Sequence, residues 1–191
     1  MKDDVYIVLN KPSGYVCSTV SDRSSVVFDL IDKSLLEECR SRKKNLHTVG
    51  RLDKETEGLL LLTTDGMFSH NLTVPEHSIR KVYSVILRDS VTEEGQELYR
   101  KAFSEGVMLP ADKKFPEQQS RPALIEWKEP NCAEITVTEG KFHQVRRMFM
   151  AMGNEVVRLK RVCIGSLSLD DSLEPGKYRS LTVEEIKSLE C

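Results

Sequence analysis

Apolar positions along this chain change period from one segment to the next, and the changes mark its elements. "VYIVLN" (5–10) is an almost unbroken apolar run closed by Lys-Pro-Ser-Gly, the pattern of a strand ended by a turn. In "SVVFDLIDKSLLEEC" the apolar residues Val27, Leu30, Ile31 and Leu35 recur at helical spacing. "GLLLLTTDG" (58–66) is a short apolar block between glycines and reads as a buried strand, while "IRKVYSVIL" (79–87) alternates like a half-buried one. "TEEGQELYRKAF" (92–103) predicts a helix. "ALIEW" and "AEITVT" predict paired strands with a turn at 129–131. "KFHQVRRMFMAMG" predicts a helix ending at Gly153. "EVVRLKRVCIGSLSL" predicts one long strand or two, and "TVEEIKSLE" a helix opened by a capping box, Thr182 with Glu185. The Lys-, Pro- and Gln-rich stretch 106–120 reads as a loop. Strands outnumber helices without alternating with them, which points to an α+β fold.

Composition narrows the chemistry. The 191 residues suit one domain or two small lobes, and the formal net charge of −2 supplies no global pull on nucleic acid, so any such binding rests on local basic patches. Five scattered cysteines (17, 39, 132, 163, 191) form no C-x-x-C pair, which argues against a disulfide framework or a zinc site and for a reduced, cytoplasmic setting. The first residues lack the apolar length of a signal peptide, and no run approaches the ~18 apolar residues that span a membrane. The four histidines have no ligand-like spacing, and neither a P-loop nor a G-x-S-x-G elbow is present. Without metal or cofactor signals, the chemistry falls to plain side chains.

Two places concentrate charge beside apolar residues. Region 141–161 holds Lys141, Arg146, Arg147, Arg158, Lys160 and Arg161 against one acid, Glu155. On a helical wheel Phe142, Val145, Phe149 and Met152 share a face. Arg146 falls on or beside that face and needs an anionic partner there. Arg147 points the other way, so that it, Lys160 and Arg161 are placed to meet phosphates. An exposed basic helix with snorkelling stems fits the same pattern. A second cluster, Arg40, Arg42, Lys43 and Lys44, reads either as a solvated loop or as a further basic patch. It precedes "GRLDKETEGLLLL", where five charges between Arg51 and Glu57 run directly into four leucines. Asp53, inside that stretch, is either a turn residue or a carboxylate held for reaction.

These segments together resemble the RNA pseudouridine synthases. "GRLDKETEGLLLLTTDG" resembles the family signature at Gly50, Arg51, Leu52, Asp53, Thr56, Gly58 and the leucines. "NKPSG" (10–14) resembles its first motif, "RKVYSV" (80–85) its Lys-x-Tyr segment and "EGKFHQVRRMFMAMGNEVVRLKRVCIGSLSL" its last. The match spans nearly the whole chain in order. It lies closest to the RsuA branch, which modifies ribosomal RNA, and "GMFSHNLTVPEH" and "LEPGKYRSLTVEEI" are most similar to the small-subunit member. Thr64 stands where the family usually has Asn. Many branch members carry an S4-type domain before the first motif, whereas this sequence begins almost at that motif, so that either the protein lacks the domain or the chain is a fragment; residues 1–191 are expected to be one catalytic domain, in up to two lobes.

The resemblance implies a mixed, mostly antiparallel sheet flanked by helices, with a catalytic cleft. It implies isomerisation of a flipped-out uridine in 16S ribosomal RNA, free or in a partly assembled subunit, by a monomer without cofactor. Asp53 is the expected nucleophile, since an ordinary aspartate is ionised at neutral pH. Arg146 is its expected partner, with Arg147 as second choice, and Tyr83 stacks on the uracil. Arg51 fills the gap left by the extruded base. Lys81, Lys141, His143, Gln144, Arg147, Lys160 and Arg161 are expected to meet substrate or RNA, and Lys11 and Pro12 to brace the catalytic loop. The alternatives are a 23S target, a non-catalytic assembly factor, and a hydrolase or phosphotransferase with an aspartyl nucleophile, which usually needs a metal and for which further metal-binding acids are not evident.

Overall fold

The computed structural model describes residues 4–19, 24–112 and 115–190. Two units make up the chain, Met1–His77 with Cys163–Cys191, and Ser78–Val162. The reading of the first three residues, the last cysteine and part of the 106–120 loop lies outside the described residues.

In the first unit β1 (Tyr6–Lys11) stops at Pro12, which has no N–H to extend a ladder. The single helix expected after Val26 is two pieces, a 3₁₀ turn (Val27–Leu30) and α1 (Lys33–Ser41), with Ile31 extended at φ −98° and ψ 137° between them. Two aspartates cause the break. Asp29 Oδ2 accepts from Val26 N at 2.9 Å, and Asp32 is tied to the Tyr178 hydroxyl at 2.7 Å while acting as the N-cap residue of α1. Then follow β2 (His47–Thr48), β3 (Glu57–Thr63) and a helix the apolar pattern did not signal, α2 (Gly66–Thr73). That helix is started by Asp65, whose Oδ1 accepts from Met67 N at 2.9 Å and Phe68 N at 3.0 Å. β3 runs antiparallel to β1, with Ile7 opposite Leu62 and Leu9 opposite Leu60. Leu59 to Leu62 are all buried, which explains the absence of alternation in this strand.

The second unit holds β4 (Lys81–Leu87), α3 (Glu93–Glu105), β5 (Met108–Leu109), β6 (Gln118–Gln119), β7 (Leu124–Glu129), β8 (Cys132–Val137), α4 (Gln144–Ala151) and most of β9 (Val156–Ile164). Stretch 106–120 is more than a loop, because β5 and β6 pair within it, Met108 opposite Gln119. Gly106, the C-cap of α3, lets the chain pass this close to the end of β6: at φ +81° an added Cβ would sit 2.4 Å from the Ser120 carbonyl oxygen. Within the sheet β8 pairs antiparallel with β4 on one side and β7 on the other. Val85, Leu87, Ile125, Ala133, Ile135 and Val137 point to one face, packed on Tyr99 and Phe103 of α3 and Val145, Met148 and Phe149 of α4. Tyr99, Phe103 and Phe149 meet at ring separations of 5.3 to 5.7 Å.

Back in the first unit, β10 (Leu167–Ser168) folds antiparallel onto the end of β9, β11 (Tyr178–Ser180) pairs with β1, and α5 (Val183–Leu189) carries the expected Thr182–Glu185 capping box. The fold is α+β. Among the described residues no helix is long and apolar enough to cross a membrane.

Candidate functional site

The charged stretch before β3 is a loop built from below. Gly50, at φ +68°, turns the chain out of the β2 region in a conformation that a Cβ would strain. Leu52 is then buried, while Arg51 is exposed and Asp53 half-buried, so the residues on either side of Leu52 stay open to solvent. The turn closes where Thr56 N donates to Asp53 O at 3.1 Å.

Lys11 holds this turn in place. Its side chain is fully buried, and Nζ donates to the carbonyls of Thr56 (2.7 Å), Lys54 (2.9 Å) and Pro12 (3.1 Å), using all three N–H bonds. The next residues add two more ties: Gly14 N donates to Lys54 O at 2.9 Å and Ser13 Oγ to Glu55 Oε2 at 2.6 Å. Burial pushes the Lys11 pKa down, and the nearby Cys17, Glu55, Asp53 and Glu57 charges oppose that shift. Lys11→Met should therefore cost about 2–4 kcal/mol through the carbonyls it orphans, read by urea unfolding. The Asp53 turn should loosen with it, because two of the three carbonyls that Lys11 holds, those of Lys54 and Thr56, belong to that turn. Unchanged stability would show that water replaces the ammonium without loss.

In the second unit the segment before and within α4 is organised by a buried acid that sequence reading passed over. Glu139, 6% exposed, accepts from Arg121 N and Gln144 Nε2, both at 2.8 Å, and pairs with Lys141 Nζ. Gln144 Oε1 in turn accepts from Lys141 N at 3.0 Å. His143 takes a left-handed conformation (φ 49°), stacks on Phe142 at 3.7 Å between ring centroids, and places Nδ1 2.7 Å from Asp112 Oδ2. Lys141, His143 and Gln144 thus have protein partners that shape this turn. A carboxylate directly before Gly140 was the available signal for Glu139.

The helical wheel misplaced the arginines. Arg147, expected to face away from the core, is 1% exposed. Nε donates to Pro110 O (2.8 Å), Nη1 to Phe142 O (3.2 Å), and Nη2 to Leu109 O (3.3 Å) and Pro116 O (2.8 Å). A wheel assumes one buried face, whereas α4 also buries the side that carries β5 and the segment after it. Arg147 is therefore a tie between α4 and residues Leu109, Pro110 and Pro116, with no surface to offer a phosphate. Arg146 is half-buried, and its Nη1 donates to Val156 O at 2.8 Å. Arg161, also expected to reach phosphates, is 2% exposed, with Cζ 6.0 Å from the Tyr83 ring centroid. Tyr83, Lys81 and Lys160 are half-buried.

The arrangement offers a half-buried carboxylate on a stapled loop in one unit, and a tyrosine beside two cations in the other. Among the described residues no cluster of His, Cys, Asp and Glu could hold a metal ion. Comparison with known proteins gives this arrangement a context. The family model for RNA pseudouridylate synthase matches residues 5–151. The chain is 42% identical over 184 residues to ribosomal small subunit pseudouridine synthase A of Escherichia coli (strain K12), covering 96% of this chain and 73% of that protein. It is 41% identical over 189 residues to the protein of the same name from Haemophilus influenzae, covering 99% and 75%. A crystal structure of a pseudouridylate synthase superposes with a TM-score of 0.85 at 42% identity, over 98% of this chain and 74% of that one.

Proposed function

From this chain's membership of the RNA pseudouridylate synthase family, we propose that it converts a specific uridine of small-subunit ribosomal RNA to pseudouridine, in the cytoplasm and as a monomer. Residues 1–191 together serve as the catalytic domain. The reaction breaks the N1–C1′ bond, turns the uracil and joins C5 to C1′. A proton leaves C5 and N1 gains one, so the product is an isomer of the substrate and no redox partner is needed.

Asp53 is proposed as the nucleophile. Attack at C1′, attack at C6 and a glycal route all need one carboxylate held still. The observation that carries the reading is the bracing of the Asp53 turn by Lys11, Ser13 and Gly14, which stiffens the support of one side chain. Arg146 is proposed as the cationic partner that orients that carboxylate. Of its five N–H donors, the bond to Val156 accounts for one. Tyr83 stacks on the flipped uracil and helps the C5 proton leave, while exposed Arg51 fills the gap in the RNA, offsetting part of the few kcal/mol that extrusion costs.

Carbodiimide mapping of small- and large-subunit RNA, with and without the protein, tests the reading. One protein-dependent pseudouridine is expected in small-subunit RNA. A protein-dependent site in large-subunit RNA alone would move the target, and no site in either would refute catalysis.

A further inference from the structure

Lys81 opens β4, and alternation along the strand puts its side chain on the face shared by Tyr83, Val85 and Leu87. Arg161 of β9 reaches the same place, buried, with its guanidinium over the Tyr83 ring. Lys81 Nζ donates to Ile79 O at 3.1 Å, a neutral acceptor. Among the described residues no carboxylate pairs with Lys81. Desolvation first, and the Arg161 charge second, bring its pKa down to about 8. Lys81 is thus a partly desolvated cation with a cation for a neighbour. In the protein alone that combination is destabilising. An anion arriving from outside would complete it.

Building on the uridine-isomerising reading above, we propose that Lys81 forms an anion subsite for one RNA phosphate, the phosphate adjoining the nucleotide that stacks on Tyr83. The two residues lie on one face of one strand, roughly 6.6 Å apart along it, so a base on the ring and its backbone beside it engage the same edge of the unit. An ammonium suits this task because it meets a phosphate oxygen as a point charge, without the planar match a guanidinium needs. A flipped nucleotide also needs its backbone held in the turned-out position.

The test compares wild type, Lys81→Met and Lys81→Arg on a short transcript of small-subunit RNA that carries the mapped uridine. Affinity is measured across a salt series, and thermal stability without RNA. Lys81→Met should weaken binding about tenfold and flatten the slope of log Kd against log salt by about 0.7. It should also raise the melting temperature of the free protein, while Lys81→Arg keeps the wild-type slope. An unchanged slope for Lys81→Met would overturn the proposal, as would a loss of affinity that comes with a lowered melting temperature. Failure of wild type to isomerise the transcript would refute the uridine reading instead, and the salt slopes would still decide whether Lys81 meets a phosphate.

Discussion

Asp53→Asn should leave a folded protein that binds ribosomal RNA and makes no pseudouridine. The substitution changes almost no volume and keeps the backbone of the turn, whose ties run through the carbonyls of Asp53, Lys54 and Thr56 and through the Glu55 side chain. What it removes is the anionic oxygen. An amide is a poor nucleophile, so the loss should be about 10⁴-fold or more, the scale on which removal of one essential member of a catalytic set acts. Single-turnover conversion of a small-subunit transcript reads the chemistry, and filter binding on the same transcript reads affinity. A variant that still forms pseudouridine at a comparable rate would show that Asp53 is not the nucleophile. If wild type binds the RNA and neither protein modifies it, the chain is an RNA-binding assembly factor.

The largest loss of stability is expected from Arg147→Met. The guanidinium makes four hydrogen bonds to the carbonyls of Leu109, Pro110, Pro116 and Phe142 while almost fully buried. Methionine fills much of the volume but donates nothing, so acceptors from two segments lose their partner together. The cost should be about 3–5 kcal/mol, as when one side of a buried charged network is deleted. For a chain of this size that corresponds to a fall in melting temperature of roughly 10 °C. Arg147→Lys should recover only part of it, because three donors on a flexible stem cannot reproduce the planar fork. Urea unfolding measures the difference. If Arg147→Met were as stable as wild type yet bound RNA more weakly, the residue would be a surface contact after all.

The two arginines show where sequence reading stops. Arg146 and Arg147 are adjacent and chemically identical, and the apolar stripe of Val145 and Phe149 favoured Arg146 as the inward one. Three of the four carbonyls that hold Arg147 inward come from residues 109, 110 and 116, which lie 31 to 38 positions away, and no local period records them. Glu139 was passed over for a similar reason: its partners Arg121 and Gln144 are brought to it by the β7–β8 pairing and the start of α4. Helix α2 was not signalled because what starts it is a cap at Asp65, and its buried face is only Phe68 and Leu72. By contrast, β1, β3, the β7–β8 pair, α3 and the capping box of α5 were legible, since each is written in residues next to one another.

The sequence by itself determined the family, the order of its motifs, the α+β class and Asp53 as the carboxylate to watch. Those depend on residue identity and on local spacing, which the chain carries without folding. Tertiary structure alone decided which of the expected RNA-facing cations are spent inside the protein, Arg147 on the carbonyls of Leu109, Pro110 and Pro116 and Arg161 beside Tyr83, and that Lys81 is only half-withdrawn from water. The physical reason is that a cation's role is set by its desolvation and by the acceptors around it. Both come from segments distant in the chain, and folding alone brings them together.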